Sequence, residues 1–296
     1  MTEPRTTAPE SSAAPSQTGR SATSPSSPLS TDGARRQAWT LSPQSVDLHP
    51  TPPQPRPISL PASPQNLTLD LRRAAVLVVD MQNDFCHPEG WLAGIGVDVS
   101  GPRSAITPCA EVTAAARALD VPVVWVNWGN RPDKANLPAG VEHVYDADGT
   151  GGGIGDPAGR GDAVLTRGSW GAAIVDELDH RGDLHVDKYR MSGFVDTELD
   201  SVLRLRGVDT LFLAGVNADQ CVLATLMDAA NLGYNVVLVE GASATSSPEF
   251  CLEATLYNTR QCFGFTADWR DLVAALTEAA TPEIASPGST PTETAS

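Results

Sequence analysis

Asp80, Lys188 and Cys221 are the residues whose types and placement suit a common chemistry. Asp80 closes AVLVVDMQNDF, where a carboxylate directly follows an apolar run. Lys188 closes LHVDKYRMSGF, and Cys221 follows Leu211-Phe212-Leu213-Ala214-Gly215 after the polar turn Asn217–Gln220. A cysteine at a strand-to-helix turn sits where free amide N–H groups and the helix dipole favour a thiolate. An ammonium nearby favours the same form, and a carboxylate can take the thiol proton and return it. Each residue alone has a plainer reading. A strand-end Asp caps turns, a lone Lys is a solvated charge, and a free Cys behaves as a small hydrophobe. Their joint placement at the ends of three expected strands is the stronger signal.

The elements that would position them alternate. Short apolar runs at Ala74–Val79, Val121–Val126, Leu184–Asp187, Leu211–Ala214, Val236–Val239 and Phe263–Thr266 read as buried strands. Helical patterns fall at Ile106–Leu119, Ala172–Leu178, Asp196–Arg206 (closed by Gly207), from Cys221 through Ala230, at Pro248–Gln261 and at Ala267–Glu278. Strand and helix in alternation imply an α/β fold. The expectation is a three-layer αβα domain around a central, mostly parallel sheet, whose active site gathers at the strands' carboxyl ends.

Composition bounds the rest. Residues 1–65 are rich in Pro, Ser and Thr and hold about half of the 24 prolines, so they are expected to be a disordered tail, as are residues 281–296. One domain remains, at 66–280. A formal net charge of −16 argues against a nucleic-acid partner. Five cysteines without framework spacing suggest reduced thiols and a cytoplasmic protein. No apolar run is long enough for a membrane span, and no export signal pattern opens the chain.

Taken in order, VVDMQNDF (78–85), KYRMSGFVDTELDSVLRLRG (188–207) and GVNADQCVLATLMDA (215–229) resemble the isochorismatase-like cysteine hydrolases over roughly residues 70–275. The resemblance is closest to the ureidoacrylate and N-carbamoyl amidohydrolase branch. It implies an Asp–Lys–Cys triad at Asp80, Lys188 and Cys221. It also implies a cis peptide at Val216–Asn217 and an oxyanion hole from the Asn217 and Cys221 amides. The expected activity is hydrolysis of a small linear amide or ureido compound through a thioester, with no cofactor, in a homo-oligomer (dimer or tetramer). One departure stands out: Ala218 occupies a position where the family commonly has Thr.

Phe85, Asn127, Trp128, Asn130, Trp170 and Tyr189 are candidate substrate-binding residues, although most aromatics in a domain are core. Cys109, Cys251 and Cys262 read as packing, and Cys86 as a possible border of the pocket. A Cys–His enzyme would need His185, which strand parity sends to the face opposite Lys188. The five histidines show no metal-ligand spacing, so no metal is expected. The glycines at 149–155 lack the strand and helix of a dinucleotide loop and read as a linker or lid. Two alternatives remain: a vinyl-ether hydrolase of the isochorismatase type, against which Cys221 counts, and a non-catalytic scaffold.

Overall fold

The structure is a computed structural model that describes residues 39–49, 54–158 and 161–281, together with the backbone pairing of 27–28. Strands β1 (Ser27–Pro28), β2 (Thr40–Leu41) and β3 (Val46–Asp47) form a small antiparallel sheet. Strands β4 (Pro57–Leu60) and β5 (Leu67–Asp70) pair as an antiparallel hairpin. The central sheet holds β6 (Ala74–Val79), β7 (Val123–Trp128), β8 (Leu184–Lys188), β9 (Thr210–Gly215), β10 (Asn235–Ser243) and β11 (Phe265–Asp268). Its order is β11-β10-β9-β6-β7-β8, and every pairing is parallel. Every residue of β6, β7 and β9 is buried, as expected where helices cover both faces.

The connections include α1 (Asn83–Cys86), α2 (Trp91–Gly94), α3 (Ser100–Ser104), α4 (Ile106–Arg117), α5 (Ala139–Glu142), α6 (Leu199–Leu205), α7 (Leu223–Asn231), α8 (Glu249–Asn258) and α9 (Trp269–Ala280). The chain leaves β6 towards β7 and β8, then returns to the other side of β6 for β9, β10 and β11. Strand order therefore reverses between β6 and β9, and their carboxyl ends flank the crevice where such sheets bind ligands. Asp80 and the turn before Cys221 both lie there.

The domain begins earlier than composition suggests. Ile58 and Leu60 of β4 are buried in the core, so residues 54–65, expected as tail, belong to the folded unit. The signal is the alternation of Ile58 and Leu60, with prolines confined to edge positions that need no ladder donor. Ser63 then exchanges two backbone hydrogen bonds of 2.9 Å with Thr266, covering the free edge of β11. The remainder of the two expected tails, 1–26, 29–38, 50–53 and 282–296, lies outside the described residues.

Two expected helices differ. Residues 172–178 form turns, because their backbone is taken up by neighbours: Asn83 donates to the Ala173 carbonyl and Val175 to that of Met81. The helix expected from Cys221 starts as a π-helical turn, Ala218–Val222, and becomes α-helical only at Leu223. Among the described residues no helix is long and apolar enough to cross a membrane.

Candidate active site

Asp80 is the first residue past β6 and has a left-handed backbone, φ 51°, which is uncommon for a residue with a side chain. Its amide donates to the Val126 carbonyl at 3.0 Å, so the turn is fixed to β7. On the other side of β6, Gly215 has φ 111°, and a Cβ there would stand 2.0 Å from the Val79 carbonyl oxygen. Only glycine lets β9 approach β6 this closely at the site.

Asp80 and Lys188 are both fully buried, with Lys188 Nζ 2.8 Å from Asp80 Oδ2. The ammonium also donates to Cys221 Sγ at 3.3 Å and to the Arg190 carbonyl at 3.2 Å. The Trp128 ring lies 3.9 Å below it, a cation–π contact in a desolvated setting. The three residues singled out by type and spacing are therefore brought together. His185 is exposed on the opposite side of β8, its ring against His180, as strand parity requires.

The electrostatics differ from the expectation of a resting thiolate. Burial raises the Asp80 carboxyl above the usual carboxylate range, against the opposing pull of Lys188. Burial pushes the Cys221 thiol up to about 12, again outweighing Lys188, while Asp80 adds to the rise. Both shifts work against a free thiolate at this depth. The Cys221 sulfur lies 3.8 Å from Met191 Sδ, and Cys221 is 4% exposed. A helix terminus and a lysine lower a thiol's pKa only where solvent or dipoles replace the lost hydration.

The turn before Cys221 contains a cis peptide at Val216–Asn217. The Ala218 amide donates to the Ala244 carbonyl, and those of Gln220 and Val222 to the Asn217 carbonyl. The Asn217 and Cys221 amides find no acceptor outside the turn among the described residues. Asn217 Oδ1 accepts from the Ser246 amide at 3.0 Å, which holds the turn against the loop after β10. The buried methyl of Ala218 is tied by its backbone alone. Thr225 stitches the turn to the loop after Lys188, donating to the Cys221 carbonyl and accepting from the Gly193 amide.

The remaining candidates separate. Trp128 forms the floor under Lys188, and Asn127 Oδ1 is buried with no partner among the described residues. Asn130 accepts from Trp128 Nε1 and donates to the Val164 carbonyl, so it holds the floor in place. Phe85 packs edge-on against Trp91 in the core. Trp170 lines a second cavity of about 260 Å³ with Trp91 and Asp84. Tyr189 is not at the thiol: its hydroxyl donates to the Asp196 carbonyl, and it lines a cleft beside β8 with His185 and Asp187. Lys188 points inward, so its chain neighbour faces out. Cys86 and Cys109 are buried, Cys251 is half-buried, and Cys262 is exposed rather than packed.

Sequence reasoning missed Gln82, Met191 and Gln220. The Gln82 amide brackets the Trp128 backbone, donating to its carbonyl and accepting from its N–H, both at 2.8 Å. A glutamine two residues past a strand-end aspartate offers no periodic signal for this. Met191 and Gln220 border a cleft of about 680 Å³ that opens beside the thiol, walled further by Val97, Val144, Ala224 and Pro248. Among the described residues no group of three or more His, Cys, Asp or Glu is arranged to hold a metal ion.

Comparison with known proteins gives the family. The isochorismatase domain matches residues 74–271. A ureidoacrylate amidohydrolase RutB of Rhizobium rhizogenes is 36% identical over 229 residues, covering 76% of this chain and 92% of the relative. The crystal structure of a cysteine hydrolase from Pseudomonas syringae pv. phaseolicola aligns with a TM-score of 0.60 at 25% identity, over 71% of this chain and 95% of the other. The N-carbamoylsarcosine amidase of Thermoplasma acidophilum aligns with a TM-score of 0.50 at 28% identity, over 67% and 96%. On the matched motifs, the doubly wound sheet and the extent of these matches, the chain belongs to the isochorismatase family.

Proposed function

We propose that this protein is a cysteine amidohydrolase that cleaves the C–N bond of a small linear amide or ureido compound. The observation that carries the reading is the buried three-way contact of Asp80, Lys188 and Cys221, at 2.8 and 3.3 Å. The names of the relatives, an amidohydrolase and an amidase, support the bond type.

The direction of both shifts favours proton transfer coupled to attack. Cys221 Sγ attacks the carbonyl carbon as its proton passes to Asp80, so no free thiolate accumulates. The new oxyanion is held by the Asn217 and Cys221 amides, the largest electrostatic contribution expected in acyl transfer. Collapse breaks the C–N bond, and Asp80 gives its proton to the leaving nitrogen. Water then loses a proton to Asp80 as its oxygen attacks the thioester carbon. The C–S bond breaks and Asp80 returns the proton to sulfur. Lys188 keeps one positive charge against the changing charge of Asp80 and Cys221 throughout.

The catalytic unit is proposed to run from about residue 54 to Ala280, and the chain to work as a homo-oligomer. Phe250 and Tyr257, 67% and 63% exposed on α8, are apolar groups consistent with such contacts. Ammonia release is the test, measured with carbamoyl amino acids, ureido acids and nicotinamide alongside a Cys221→Ala control. Turnover of any of these that vanishes in the variant supports the reading. Turnover that persists in the variant overturns it.

A further inference from the structure

We infer that the part of the substrate lying in the cleft beside Cys221 is neutral and apolar, not a carboxylate. The inference rests on the cysteine-hydrolase reading and narrows its substrate class. It sets this chain apart from the ureidoacrylate amidohydrolases, whose substrate is an acid.

The first observation is the wall of the cleft. Val97, Val144, Met191, Ala224 and Pro248 supply apolar surface, and the polar rim consists of Tyr145, Gln220 and two serines. Among the described residues, none that lines the cleft carries a positive charge. Gln220 Nε2 is directed at its own neighbours, the Tyr145 hydroxyl at 3.2 Å and Ser247 Oγ at 3.3 Å. A carboxylate entering this space would lose hydration and meet no compensating charge.

The second observation is where the cations of the surrounding segments are engaged. Lys188 is fully buried and holds Asp80, Cys221 and the Arg190 carbonyl. Arg190, next to Met191, donates to the Asn136 and Tyr189 carbonyls and lies 3.4 Å from Asp196. Lys134 is paired with Asp156 at 2.8 Å and with Glu142 at 3.5 Å. Arg103 donates to the Cys86 carbonyl and pairs with Glu177 at 2.9 Å. Each of these is already matched by a carboxylate or a carbonyl.

The third is the field of the whole chain. With 36 Asp and Glu against 20 Lys and Arg, the surface repels an approaching anion. A site for acids on such a protein needs a local cation, and the described lining of this cleft offers none. Met191 lines the cleft with its sulfur 3.8 Å from that of Cys221, and is the lining residue that links the apolar wall to the thiol.

The test compares β-ureidopropionate with isopentylurea, in which an isopropyl group replaces the carboxylate at nearly equal size. Two readouts are taken on the full chain: kcat/KM for ammonia release, and protection of Cys221 from iodoacetamide as a measure of binding without turnover. The neutral urea should be favoured about tenfold or more in both. Ala224→Lys, which puts an ammonium into the cleft without removing a hydrogen bond, should narrow or reverse that preference. Equal or better use of the acid by the unmodified chain overturns the inference. If alkylating Cys221 leaves ammonia release intact, the cysteine-hydrolase reading fails instead, so the two failures are separate.

Discussion

Replacing Lys188 by Met should destabilise the fold more than replacing Asp80 by Asn, although both remove the same ion pair. The asymmetry follows from what each partner keeps. Without Asp80, the ammonium retains the Arg190 carbonyl at 3.2 Å, Cys221 Sγ at 3.3 Å and the Trp128 ring at 3.9 Å. Without Lys188, the fully buried Asp80 carboxylate loses its ion-pair partner and with it the largest pull that offsets its burial. Stranding one member of a buried pair costs about 3–5 kcal/mol. With a urea dependence of about 2 kcal/mol per M, the midpoint for Lys188→Met should fall by about 2 M at neutral pH.

The pH dependence gives the sharper check. Burial raises the carboxyl pKa of Asp80, and removing Lys188 removes the main opposing pull. A carboxyl raised in the folded state binds its proton more tightly there than in the unfolded chain. The stability this contributes is present at low pH and is lost as pH rises through the folded value. The Lys188→Met deficit should therefore shrink as pH falls from neutral towards 5, and Asp80→Asn/Lys188→Met should be more stable at pH 7 than Lys188→Met alone. Urea melts of the three variants at both pH values measure this. A deficit that does not change with pH, or a Lys188→Met midpoint equal to that of the unmodified chain, would refute the account of the pair.

Activity should show a single acid limb, lying above the usual carboxylate range because Asp80 must be ionised to accept the thiol proton. With Cys221 pushed up to about 12, kcat/KM should then stay flat above that limb up to pH 9, and a rise tracking a thiol near its ordinary value of about 8.5 would contradict concerted transfer. Gln82→Leu removes two buried hydrogen bonds to the Trp128 backbone, which should cost about 1–3 kcal/mol of stability. It should also lower kcat more than it raises KM, because the floor under Lys188 moves; an unchanged kcat would make Gln82 purely structural. Leu60→Ala should cost about 2–5 kcal/mol in a chemical melt, since Leu60 is 1% exposed in the core. A neutral result would place the β4–β5 hairpin outside the cooperative unit.

The central sheet was legible because its strands are unbroken apolar runs ended by polar residues, and that pattern located Asp80, Lys188 and Cys221. What stayed hidden depended on tertiary contacts. The β4–β5 hairpin was masked by the prolines around it, since composition averages over the two buried residues that matter, Ile58 and Leu60. Residues 172–178 have a helical pattern, yet hydrogen bonds from the segment after Asp80 hold them in turns. The electrostatics of the thiol divide in the same way: a helix terminus and a lysine are visible in sequence, but the depth of burial that opposes them is not. Tyr189 and Asn130 also show that polar and aromatic residues near a strand end divide between cleft, scaffold and opposite face by side-chain direction alone.

The central claim is a covalent thioester on Cys221. Acid quenching during turnover, followed by intact-mass and peptide-mapping analysis, tests it most directly. The account predicts an adduct of the acyl group's mass on the peptide containing Cys221, absent from folded, inactive Cys221→Ala. Hydrolysis retained by Cys221→Ala would contradict it.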